Sequence, residues 1–168
     1  MSQTALTYLA ENQERFQNEL IEFLRIPSIS HDPAHKADID KAARWLADKL
    51  RAMGVNNVEI MPTAGHPVVY GEWLATRGGA SAPTVLVYGH YDVQSPEPLA
   101  DWKSEPFAPQ IRDENLYARG SSDMKGQVMA TLNAVESIMK TGDFPINIKF
   151  LLEGEEEIGS FNMDSFLP

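Results

Sequence analysis

Residues 83–92 read PTVLVYGHYD, and this stretch limits the fold more than any other. Thr84, Val85, Leu86, Val87 and Tyr88 favour an extended backbone, and Gly89 ends the run. So short an apolar run predicts a strand buried on both faces, inside a mixed or parallel sheet. His90 and Asp92 follow, two residues apart. Open α/β sheets place ligands at the carboxyl ends of their strands. On extended backbone the two side chains share one side. His90 can then offer one ring nitrogen to a metal while Asp92 accepts a hydrogen bond from the other, which fixes the tautomer. The pair alone does not make a metal site.

A chain of 168 residues with 43% hydrophobic residues fits one domain with a real core. It has no run of eighteen apolar residues, and its first residues lack the basic and apolar blocks of a secretion signal. The expected address is cytoplasmic. Zero cysteines rules out disulfides and thiolate ligands, so any metal must be held by His, Asp or Glu. A net charge of −10 argues against a nucleic-acid partner. The acid is locally dense, with Glu153, Glu155, Glu156 and Glu157 within five positions. Four like charges repel unless something positive lies near.

Near-helical apolar spacing predicts one amphipathic helix over 5–25, stopped before Pro27, and a second over 38–53, stopped by Gly54. The loop 27–35 carries His31 and His35, which are assigned no role. Strands are expected at 58–61, 68–74 and 146–152, with a flexible turn at 75–83. Four prolines between 96 and 109 predict an irregular loop, whose Trp102 and Phe107 either pack on the sheet or line a pocket. A hairpin is expected at 111–118, and a helix over 123–139 with Asp123 at its N-terminus, either as its cap or facing a cation.

His90 with Asp92, then Asp123, then the glutamates 155–157 each follow a strand or open a helix. The gaps, 123 − 90 = 33 and 157 − 123 = 34 residues, suit returns to one sheet edge. Carboxylates with imidazole and no thiolate suit Zn, Mn or Co. One carboxylate can bridge two such ions at about 3.5–4 Å, and a further glutamate can take the proton of an activated water.

The segments VLVYGHYDVQ, W-K-S-E-P-F-x-P-x-I-R-D, LYARGSSDMKG and EGEEEIGS together resemble the dinuclear zinc aminoacylase and carboxypeptidase family. The DWKSEPFAPQIRD stretch is most similar to the dipeptidase branch. The resemblance implies an α/β fold of the zinc-exopeptidase kind, with a mixed, largely parallel sheet flanked by helices, and two zinc ions, with Mn or Co possible. It implies that His90 is a terminal metal ligand, Asp92 orients it, Asp123 bridges, Glu156 is the general base and Glu157 ligates the second ion. Glu155 falls outside the pattern and is expected to be solvated or to stand behind the ligands. The bond between Asp123 and Met124 is expected to be cis. Met124 stands where dipeptidases often carry a second Asp, as in the deacetylase branches. The expected activity is hydrolysis of dipeptides or short peptides; the alternatives are N-acyl amino acid deacylation or a non-catalytic fragment. The family's remaining ligands and its lid domain have no counterpart in these residues. The resemblance therefore implies the N-terminal part of a catalytic domain, inactive alone and binding metal weakly or not at all, within a full-length protein that forms a homodimer.

Overall fold

The computed structural model describes residues 4–75, 81–142 and 145–167. The centre of the turn expected at 75–83 lies outside the described residues. Helices α1 (Ala5–Glu11), α2 (Gln13–Leu24) and α3 (Lys36–Met53) precede strands β1 (Asn56–Met61), β2 (Val68–Trp73) and β3 (Thr84–His90). The small hairpin β4 (Gln110–Arg112) and β5 (Asn115–Tyr117), helix α4 (Lys125–Thr141), strand β6 (Asn147–Glu153) and the short α5 (Met163–Phe166) complete the order.

Sequence periodicity joins α1 and α2 into one helix; the structure breaks it at Asn12 (φ −107°, ψ 8°). The Asn12 side chain donates to the Tyr8 carbonyl at 2.8 Å, a local bond that competes with the helical ladder. Leu6 and Leu9, members of the apolar pattern that predicted this helix, are exposed. The α3 prediction holds. Ile39, Ala42, Ala43, Leu46, Ala47, Leu50 and Met53 are buried at helical spacing, and Gly54 stops the helix with φ +99°. The Phe23 ring stacks on Trp45 at 4.7 Å.

The main sheet has the order β1-β2-β6-β3. It is mixed, as expected, but β1–β2 and β2–β6 are antiparallel and only β3–β6 is parallel, so "largely parallel" is corrected. The central, doubly buried strand is β6, not β3. Phe150, Leu151 and Leu152 are buried, whereas Val85, Leu86 and Tyr88 are 45%, 57% and 48% exposed. β3 lies at the edge of the described sheet, and its apolar run says nothing about what lies beyond it. Helix α4 carries the chain between the two parallel strands and crosses close to Gly89, where an added Cβ would meet Val128 at 2.9 Å. The hairpin turns at Asp113 and Glu114, both at positive φ. No helix among the described residues is long and apolar enough to cross a membrane.

Candidate metal centre

Parallel pairing fixes where the site forms. His90 ends β3 opposite Glu153, which ends β6. Adjacent strands running the same way bring their carboxyl ends together, and the loops after them carry the chemistry.

His90 is 3% exposed. Its Nδ1 lies 3.1 Å from the Asp92 carbonyl oxygen and 3.3 Å from Asp92 Oδ1. This leaves Nε2 facing the carboxylates, 3.2 Å from Asp123 Oδ1 and 3.7 Å from Glu156 Oε2. Burial pulls the imidazole pKa down, but the bonds to Asp92 and the nearby Glu156 charge outweigh it and push it up to about 9. A ring so surrounded by carboxylate attracts a positive charge to Nε2.

Asp92 is fully buried. Its Oδ1 also accepts the backbone N–H of Glu156 at 3.2 Å, and its Oδ2 that of Glu157 at 3.1 Å. One carboxylate therefore orients the histidine and sets the turn that presents both glutamates, a 3-10 turn over Glu156–Ile158.

Asp123 precedes α4 and is 72% exposed in its side chain. Met124, not Asp123, occupies the cap position, and no side chain caps the helix. The bond Asp123–Met124 is cis, as the resemblance implied. Lys125, next in line, is fully buried; its Nζ donates to the carbonyls of Phe23 (3.2 Å) and Ile26 (2.7 Å) at the end of α2 and lies 4.7 Å from the Phe23 ring centre. Helix C-terminal carbonyls are a natural cation acceptor, and the bond pins the start of α4.

The structure brings together His90, Asp123 and Glu157, each offering one ligand atom, all within 4.8 Å of one another, with Glu156 beside them. Among the described residues the ion pairs of Asp123 and Glu156 are with His90, not with a lysine or arginine. A buried imidazole nitrogen at the end of β3 and carboxylates from two separate loops, facing one point, fit a divalent cation such as Zn, Mn or Co.

Glu155 does not join them. It is 6% exposed and accepts from the His66 backbone N–H at 3.1 Å and the Asn162 side chain at 2.8 Å, tying two loops together. The solvated alternative is thereby corrected. Of the loop residues, Trp102 donates to the Pro96 carbonyl at 2.7 Å and lies under the Arg119 guanidinium. His35 pairs with Asp38. Sequence reasoning missed Lys125 and also Gln94, whose side-chain nitrogen donates to the Glu157 carbonyl (2.9 Å) and carboxylate (3.1 Å). The signal for Gln94 was its alternation with His90 and Asp92.

A mixed α/β sheet whose strand ends turn an imidazole and carboxylates towards one point defines a candidate metal site at a sheet edge. Residues 86–167 match the model of peptidase family M20/M25/M40. The chain is 32% identical to the Cys-Gly metallodipeptidase DUG1 of Candida albicans over 95% of its own length and 35% of that protein's. It is 45% identical to the succinyl-diaminopimelate desuccinylase of Xanthomonas campestris over 72% of its own length and 28% of that protein's. Its fold superposes on an M20 family metallo-carboxypeptidase, Sso-CP2 of Sulfolobus solfataricus, with a TM-score of 0.81 and 40% identity, covering 90% of this chain and 33% of that one. The chain belongs to the M20/M25/M40 peptidase family. It spans about a third of the length of these relatives.

Proposed function

We propose that these residues are the N-terminal part of the catalytic domain of a dinuclear metallopeptidase that hydrolyses dipeptides or short peptides. The observation that carries this reading is the convergence of His90, Asp123 and Glu157 beside Glu156. In this reading His90 and Asp123 would hold one zinc ion, and Glu157 with Asp123 a second; the same donors tolerate Mn or Co. Bound there, such cations would polarise the scissile carbonyl and lower the pKa of the attacking water. Glu156, exposed beside the cluster, would take the proton of that water and hand it to the leaving amine as the C–N bond breaks. Asp92 keeps the His90 ring in one tautomer and orientation.

The desuccinylase relative, together with Met124 in place of a second aspartate, favours one alternative substrate class, the N-acyl amino acids. A cytoplasmic address and a homodimeric complete protein belong to the same proposal. The test is hydrolysis by the complete protein of a dipeptide panel and of N-succinyl and N-acetyl amino acids, with and without chelator. Expected is chelator-sensitive cleavage of dipeptides. Cleavage of acyl amino acids alone moves the assignment to the second class. Activity that survives His90→Ala overturns the site.

A further inference from the structure

We propose that Gln94 is a positioning residue for the metal centre, fixing the Glu157 carboxylate through its side-chain amide. The inference rests on reading His90, Asp123 and Glu157 as metal ligands. Glu157 sits in a 3-10 turn of three residues, an element with little rigidity of its own. Its geometry must come from outside, and one segment supplies it. The Glu157 N–H donates to Asp92 Oδ2 at 3.1 Å. The Gln94 Nε2 donates to the Glu157 carbonyl at 2.9 Å and to Glu157 Oε2 at 3.1 Å. Residues 90, 92 and 94 thus alternate in role: His90 presents Nε2, Asp92 holds the His90 ring and the Glu157 backbone, and Gln94 holds the Glu157 backbone and side chain.

The chemistry of the amide suits this task. Its NH2 group has two donors and meets two acceptors, which fixes the amide's orientation. A donor on Oε2 leaves Oε1 with its lone pairs for a cation. Being neutral, the amide does not compete with that cation as a lysine would, and a glutamate there would repel Glu157. The segment is itself held beyond Gln94: the Ser95 carbonyl accepts from Arg119 Nη2 at 3.1 Å, and the Arg119 guanidinium stands 5.2 Å over the Trp102 ring. The position of Glu157 is thereby joined to the proline-rich loop.

Gln94 is exposed, so its variants should fold. The probe is Mn2+, titrated into the isotope-labelled 168-residue chain and followed by broadening of backbone amide signals. Gln94→Ala, and Gln94→Met as a length-matched control without donors, should each weaken Mn2+ binding about tenfold with the metal-free melting temperature unchanged. In a Glu157→Ala background, Gln94→Ala should cost nothing further, because its effect passes through that carboxylate. Before any metal is added, Glu157→Ala should shift the Gln94 side-chain NH2 signals and speed their exchange. The proposal is overturned if Gln94→Ala binds Mn2+ as the unmodified chain does, if its cost is the same with Glu157→Ala, or if the Gln94 NH2 signals ignore Glu157→Ala. Failure of the metal reading looks different: in the complete protein, His90→Ala and Glu157→Ala leave the metal content found by elemental analysis unchanged, and both proposals fall together.

Discussion

Asp92 divides its two oxygens among the His90 ring and the backbone N–H groups of Glu156 and Glu157. The two glutamates are therefore presented by one turn that Asp92 holds yet differ in surroundings, and their substitutions should separate. Glu156→Gln keeps size and shape but cannot accept a proton from water. In the complete protein the hydrolysis rate should fall by about 10²–10⁴, while metal content measured by elemental analysis stays near normal. Glu157→Gln should instead lose metal, as should His90→Ala. A Glu156→Gln variant that kept full activity would leave no local substitute, since Glu155 is spent on His66 and Asn162. Glu155 also shows what sequence hides at this scale. The resemblance set Glu155 apart from Glu156 and Glu157, but its burial against His66 and Asn162 depends on tertiary contacts that three consecutive glutamates do not display.

At the scale of elements, four helices meet on one buried carboxylate. Glu136 of α4 accepts from Arg15 of α2 (2.5 Å), Lys49 of α3 (2.7 Å) and Tyr8 of α1 (3.0 Å), and Glu19 takes second bonds from Arg15 (2.8 Å) and Lys49 (2.6 Å). Burial raises the Glu136 pKa, but the bonds from Arg15 and Lys49 outweigh it and hold it below the ordinary 4.5. A depressed folded-state pKa stabilises the fold above the unfolded-state value, and that stability is lost as pH falls through the folded one. Glu136→Gln should destabilise by roughly 3 kcal/mol at pH 7. In urea unfolding, its gap from the unmodified chain should narrow steadily below about pH 4.5. A gap that held constant from pH 7 to pH 3 would remove Glu136 ionisation from the account. The sequence displayed α3 fully, because one amphipathic stripe with a glycine stop needs no tertiary information. It did not display the break at Asn12, where a side-chain bond to Tyr8 competes with a continuous apolar pattern, nor the Glu136 network, whose members lie up to 128 residues apart.

For the molecule as a whole, the strand ends and the residues that converge there were legible, since a polar cluster after each apolar run marks the carboxyl edge of a sheet. The place of β3 in that sheet was not. An apolar run records that a strand will be covered, not that the covering lies within the same residues. Val85, Leu86 and Tyr88 are each close to half exposed on a strand with no charge between Thr84 and Tyr88 to discourage pairing. The donor count points the same way. A catalytic zinc takes three protein ligands, and two ions sharing Asp123 here would have His90 and Glu157 as their only other donors among the clustered residues. The 168-residue chain by itself should therefore be inactive towards dipeptides, hold divalent metal weakly enough to lose it on dialysis, and self-associate through the β3 edge. Elemental analysis after dialysis, a dipeptide assay and sedimentation velocity check the three parts. Leu86→Lys, which puts a charge on the exposed edge, should restore the monomer without changing metal affinity. Chelator-resistant, stoichiometric zinc with turnover would mean that further ligands come from within the chain, and His31, His35 and His66 would be the first to substitute.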